Sequence, residues 1–333
     1  MRVHDLSAGG DVLARVHDVA RAATRIHGLP DAEVTLVNVS ENATYRVDDP
    51  VSGTRSILRV HRLGYHSTPA ILSELSWLEA LREQAGIRTP RVIPAPDGSR
   101  VLTVPGPEPR DCVMFEFLPG TEPSQDDPLP GFERLGALTA RMHRHARGWS
   151  PPEGFTRFHW DYEAALGAES RWGRWQDGLG MDTEARAVLG RLDKELRERL
   201  HRFGRGPGRY GLIHADLRAA NLLVEGENPP GVIDFDDCGF GWYLYDLAAA
   251  VSFVEHRPEV PELIDAWVRG YRTVLDLPAE DEAEIWTFVM FRRLLLVAWI
   301  GTHTGADIAA ELGSGYTEGT CELAERHLGG SLR

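Results

Sequence analysis

His214-Ala-Asp-Leu-Arg-Ala-Ala-Asn221 and Ile233-Asp-Phe-Asp-Asp237 frame a hairpin that constrains this chain more than any other feature. Leu222-Leu-Val224 and Val232-Ile233 are apolar and β-prone, and the segment from Glu225 to Gly231 between them has the Gly, Asn and Pro content of a turn. Tyr210 to His214 is a short apolar lead-in. An antiparallel pair sets Asn221 at its entry and Asp234 at its exit, so both reach one ion. Asp216 lies five positions before Asn221 and eighteen before Asp234. Alone, each residue reads as an ordinary turn or cap residue. Together they supply one carboxylate to accept a proton, and an amide oxygen and second carboxylate for a hard cation.

The bulk numbers fit a soluble globular chain of about two domains: 333 residues, 42% hydrophobic and 26% charged. The longest apolar run, Leu294 to Ile300, follows Arg292 and Arg293; it is too short for a membrane span and reads as a buried helix. The first residues lack the long apolar stretch of a secretory signal. Cys112, Cys238 and Cys321 are odd in number and far apart, which suits a reducing, cytoplasmic setting and neither a disulfide framework nor a zinc motif. A net charge of −14 argues against nucleic-acid partners. Acidic residues gather from Val251 onward, where a solvated surface is the favoured reading and attraction of a cationic acceptor the other. Lys194 is the only lysine, in the charged amphipathic stretch Arg191 to Leu200. A P-loop needs Gly-Lys-Ser/Thr, so that class is excluded, and a cation on a phosphate must be arginine unless Lys194 serves.

Helical periodicity over 11–27 is followed by strands at 33–39, 43–47 and 56–61, with Ser40-Glu-Asn42 as a tight turn. Thr68-Pro69 opens a helix to Ala85, with Thr68 as its cap and Gly86 as its stop. Strands follow around 91–93, 100–104 and 111–117. Leu118-Pro-Gly120 marks a boundary between residues 1–117 and 118–333. Beyond it the chain reads as mainly helical, with helices over 132–145, 182–203, 243–254, 261–274, 279–302 and 306–327.

These residues resemble the aminoglycoside phosphotransferase and homoserine kinase-like family. The resemblance is carried by Ser40 to Val47, Ile57 to Val60, Glu74, Met114 to Leu118, the 214–221 loop, the 233–237 run and Tyr245-Asp-Leu-Ala248. It implies an α+β, two-lobed protein-kinase-like fold, with a β-rich nucleotide-binding N-lobe and a helical C-lobe. It implies ATP and Mg²⁺ as cofactors and a small-molecule hydroxyl as acceptor, with no nucleic acid or membrane partner. Asp216 is then the base and Arg218 a cation on the transferring phosphoryl; Asn221 and Asp234 bind Mg²⁺. Ser40, Glu41 and Asn42 occupy the phosphate-covering turn. Arg59 stands where the family has lysine, steadied by Glu74. Glu116 and Leu118 fall on the adenine-binding hinge. Two departures are visible: the turn lacks glycines, and the strand cation is arginine, which keeps charge but changes geometry. His214 reads as a loop-shaping hydrogen-bonder, Asp236 as a metal sharer or loop former, and Asp246 as a tie for the following helix. His143 and His145 make a poor metal pair; Trp160, Trp172 and Trp175 read as packing before acceptor lining. A protein serine/threonine kinase, like bacterial stress-response kinases, and a nucleotide-binding pseudokinase are the alternatives. Only eleven residues separate Asp234 from Asp246, too few for a peptide-binding platform.

Overall fold

A computed structural model describes residues 10–39, 42–123, 128–303, 305 and 307–332. Ser40 and Glu41 of the expected phosphate-covering turn lie outside these residues. The chain divides into two compact units. The first comprises residues 1–82, 88–120 and 151–156; the second comprises 83–87, 121–150 and 157–333.

The first unit is built on an antiparallel sheet. Its elements are α1 (Gly10–Ile26), β1 (Glu33–Val39), β2 (Ala43–Asp48), β3 (Arg55–Val60), α2 (Thr68–Ala85), β4 (Val92–Ile93), β5 (Leu102–Val104) and β6 (Arg110–Glu116). The strand order is β1-β2-β3-β6-β4, with β5 also on β6. Along β2, Ala43, Tyr45 and Val47 are buried while Thr44, Arg46 and Asp48 are half-exposed, the period-2 alternation of a sheet with one core face. That face packs against Val16, Ala20 and Ala23 of α1, with Leu58, Val60, Cys112 and Met114 completing the core. Ser67, not Thr68, caps α2. Its hydroxyl accepts from Ala70 N at 3.4 Å and its carbonyl from Ile71 N at 3.0 Å, while Thr68 donates to Asp111 at 2.7 Å.

The second unit is helical around two small sheets. It contains α3 (Leu129–Gly148), β7 (His159–Trp160), α4 (Tyr162–Leu166), α5 (Thr183–Phe203), β8 (Tyr210–Ile213), β9 (Leu222–Leu223), β10 (Gly231–Val232), β11 (Gly239–Trp242), α6 (Leu244–Ala250), α7 (Val260–Arg272), α8 (Ala279–Glu282), α9 (Ile285–Thr302), α10 (Asp307–Leu312) and α11 (Gly315–Leu328). β7, β11 and β8 form one sheet; β9 and β10 form the expected antiparallel hairpin. Helices α3 and α7 meet backbone to backbone. A Cβ at Gly136 would lie 2.0 Å from Trp267 O, and one at Gly270 would lie 1.8 Å from Glu133 O, so only glycine fits. The segment Ala279–Thr302 is apolar and long enough to cross a membrane by composition, yet 89% of its apolar window is buried inside the protein, as a core helix would be.

Three helices expected from periodicity end differently. Helix α6 stops at Ala250 rather than at 254: Val251 is its C-cap, and Phe253 beyond it is left-handed (φ +72°). The 279–302 stretch breaks after Glu282. The last helix is two, α10 and α11, separated at Gly313 (φ +50°).

Candidate active site

Strand β8 delivers His214, Ala215 and Asp216 at its C-terminal end. Ala215 is left-handed (φ +68°), an uncommon conformation for a residue with a Cβ, sustained only where surroundings enforce it. Asp246, in the first turn of α6, does the enforcing. Its carboxylate accepts from Ala215 N at 2.7 Å and His214 N at 3.2 Å, and contacts His143 Nε2 at 2.9 Å. Asp246 therefore ties down the loop before it, a correction to its expected role as a tie for the helix after it. His143 Nδ1 lies 3.1 Å from Tyr271 OH. Burial pulls the His143 imidazole below its ordinary range against the opposing pull of Asp246. A neutral ring with its proton on Nε2 donates to Asp246 and accepts from Tyr271.

His214 is the internal hydrogen-bonder its position suggested. Its Nδ1 accepts from Asp216 N at 3.3 Å, so Nε2 carries the proton donated to Ile233 O at 3.1 Å. Ile233 N in turn donates to Asn221 O at 3.0 Å. Both backbone groups of Ile233 are thus held by the 214–221 loop, and this fixes Asp234, itself left-handed (φ +61°). Beyond Asp234, Arg157 grips the carbonyls of Asp236 and Cys238 (2.6 Å to the latter), and Trp160 Nε1 donates to Asp237 O at 2.8 Å.

Asp216, Arg218 and Asn221 come together directly. Asn221 Nδ2 donates to Asp216 O at 2.8 Å and to Asp216 Oδ2 at 2.9 Å. With both amide hydrogens on oxygens, the orientation of the amide is set, and Asn221 Oδ1 is the atom left for a cation. Arg218 Nε donates to both Asp216 carboxylate oxygens, at 3.1 and 3.3 Å. Sequence reasoning missed a third partner. Arg292, from the middle of α9, donates to Asp216 Oδ1 at 2.7 Å. Burial alone would raise the Asp216 carboxyl, but the guanidiniums of Arg218 and Arg292, with His214 beside them, hold it below the usual carboxylate range. The available signal was a pair of arginines inside an apolar helix, since a buried charge needs a partner. Arg293 is paired too, with Glu255 at 2.6 Å.

The described candidates for nucleotide binding lie in the first unit. Arg59 on β3 and Glu74 on α2 form a buried ion pair at 2.6 Å, with the guanidinium 5.4 Å from the Phe115 ring centre. Removing one partner of such a pair costs about 3–5 kcal/mol. Asn42 Oδ1 accepts from Arg62 N at 3.1 Å, so its side chain braces the turn after β3. Glu116 is exposed at the end of β6, its N–H bonded to Arg91 O at 2.8 Å; Leu118 is half-buried just beyond. Trp160, Trp172 and Trp175 are all buried in the second unit, as packing residues would be.

For a divalent cation, Asn221 and Asp234 would offer an amide oxygen and a carboxylate from just outside the two strands of one hairpin. Among the described residues no group of three or more His, Cys, Asp or Glu could hold a metal. One amide oxygen and one carboxylate suit Mg²⁺, which binds through one or two protein oxygens plus substrate phosphates.

A carboxylate braced by arginines and held by an adjacent amide, in a chain with a sheet-rich N-terminal region and a helical C-terminal region, is what a kinase-like phosphotransferase would present. The chain belongs to the phosphotransferase enzyme family, whose model matches residues 33–286. A microcompartment-associated aminopropanol kinase of known structure is 48% identical, with a TM-score of 0.88 over 94% of this chain and 98% of that one. The amicoumacin kinase of Bacillus subtilis is 26% identical over 76% of this chain and 75% of its own length. An amicoumacin kinase in complex with AMP-PNP, Ca²⁺ and Ami shares the fold, with a TM-score of 0.76, 22% identity and coverage of 96% and 95%.

Proposed function

We propose that this protein is an ATP- and Mg²⁺-dependent kinase that phosphorylates the hydroxyl of a small amino alcohol. The carrying observation is the 48% identity to an aminopropanol kinase over nearly the full length of both chains. Asp216 supports it chemically: an ionised, immobilised carboxylate suits a general base. Asp216 takes the proton from the acceptor hydroxyl as its oxygen forms a bond to the γ-phosphorus. The bond from that phosphorus to the β–γ bridging oxygen breaks, and ADP leaves with its electron pair. Asn221 Oδ1 and the Asp234 carboxylate would hold Mg²⁺, which offsets charge on the phosphates when bound. Arg218 offsets charge on the transferring group. Arg59, steadied by Glu74, is assigned the α- and β-phosphates. Asn42 braces the turn after β3 through Arg62 N, and the backbone at Glu116 and Leu118 receives the adenine. Catalysis is then mainly positioning and charge neutralisation.

The test is an ADP-release assay over aminopropanol, ethanolamine, choline, homoserine and an aminoglycoside, with protein serine and threonine acceptors in parallel. Turnover of the small amino alcohols, lowered about 10²–10⁴-fold by Asp216→Asn, is the expected result. Transfer to protein alone would establish the protein-kinase alternative, and absence of any turnover with intact ATP binding the pseudokinase.

A further inference from the structure

Two arginines bind the Asp216 carboxylate, and they differ in every physical respect. Arg218 is 30% exposed and reaches Asp216 through Nε alone. Its Nη atoms make no hydrogen bond among the described residues, and its guanidinium lies 5.6 Å from the Phe253 ring centre. Arg292 is 2% exposed and engages all three of its nitrogens. Nε donates to Ser252 Oγ at 2.9 Å; Nη1 donates to Ala215 O at 2.8 Å and Tyr245 OH at 3.0 Å; Nη2 donates to Asp216 Oδ1 at 2.7 Å. One rigid plane therefore holds both the Asp216 side chain and the backbone carbonyl just before it. That fixes the carboxylate relative to its own main chain, at the point where Ala215 is left-handed.

We propose that Arg292 is a positioning residue for phosphoryl transfer, locking Asp216 in its proton-accepting orientation so that Arg218 is free to leave the carboxylate when substrates bind. This rests on the reading of Asp216 as the base. Ser252 and Tyr245 are the supports that set the guanidinium plane, and both are buried. A lysine at 292 keeps the charge but presents a single ammonium in place of a planar fork, so it cannot hold carbonyl and carboxylate in one geometry.

The test compares Arg292→Lys and the double variant Ser252→Ala/Tyr245→Phe with the unaltered protein. Steady-state kinetics use ATP and aminopropanol, with ATP affinity from tryptophan fluorescence and melting temperature measured alongside. Arg292→Lys is expected to lower kcat about 10–100-fold while KM for both substrates stays within about twofold, since the effect sits on the transition state. The double variant, which keeps Arg292, is expected to lower kcat several-fold with the same split. A residue that only neutralised a buried carboxylate would give wild-type kcat in both, and that result overturns the proposal. If Arg292→Lys fails to fold, the double variant decides alone. Asp216→Asn is the control: wild-type turnover there removes the base reading itself, whereas an inactive Asp216→Asn beside a fully active Arg292→Lys and a fully active double variant removes only the role of Arg292.

Discussion

Replacing Asp246 should cost this protein more stability than replacing any of its exposed carboxylates. Its two oxygens serve three buried donors: His214 N, Ala215 N and His143 Nε2. Orphaning a buried donor costs about 1–3 kcal/mol. Asp246→Ala strands all three, and the loss is offset in part because a buried charge also disappears, so a net cost of about 3–6 kcal/mol is expected. Total stabilities run at about 5–15 kcal/mol, so this variant approaches the limit of folding. Asp246→Asn behaves differently. The amide oxygen keeps the Ala215 N–H, and the new NH₂ can donate to His143 if the imidazole moves its proton from Nε2 to Nδ1 and donates to Tyr271 instead. Only the His214 N–H then loses its acceptor, and the cost falls to about 1–3 kcal/mol. Urea unfolding followed by tryptophan fluorescence measures both variants. A loss below about 1 kcal/mol for Asp246→Ala, or an asparagine variant less stable than the alanine, would refute the reasoning.

Asp234→Ala should abolish the Mg²⁺-dependent part of the thermal shift produced by ATP; an unchanged Mg²⁺-dependent shift would show that Asp234 is not the ligand. Arg59→Ala should weaken ATP binding far more than adenosine binding and also cost about 3–5 kcal/mol of stability by stranding Glu74, with Arg59→Lys restoring part of both in equilibrium titration and urea unfolding. His143 gives a pH signature: its folded pKa lies below the ordinary 6.5, so as pH falls through that value the unfolded chain takes up a proton the folded one refuses. Stability from this group is present above about pH 6.5 and is lost below it by up to about 1.4 kcal/mol per pH unit. His143→Gln should flatten the fall in urea midpoint between pH 6.5 and 5, and an unchanged slope would exclude His143 as its source.

The parts of the fold that were legible in sequence are those governed by local pattern. The alternation of β2 and the turn between Leu223 and Gly231 required nothing beyond neighbouring residues. The Arg59–Glu74 contact was legible because a strand and the helix after it pack in a known order. Arg292 was not, because it acts across 76 residues of sequence and sits in a run whose apolar neighbours dominate any reading of that helix. The end of α6 was hidden for a related reason: the residues after it, Ser252 and Glu255, are engaged by Arg292 and Arg293 from a distant helix, and propensity carries no trace of those contacts. Ser67 and Thr68 are equivalent as caps by composition, and only the engagement of Thr68 with Asp111 separates them. Asn42 shows the same limit, since an amide in a turn announces a hydrogen bond without naming Arg62 as its partner.

Helix α9 is buried along almost its whole length, and the arginine at its midpoint is bonded to Asp216. A helix buried at the core of the second unit is therefore also the one that holds the Asp216 carboxylate. Many enzymes keep these duties apart, with chemistry on loops that soften well before the core does. Here the two are one element, and a partly melted form that keeps its helices but misplaces Asp216 has little room to exist. Heat would extinguish catalysis and helical structure along a single curve.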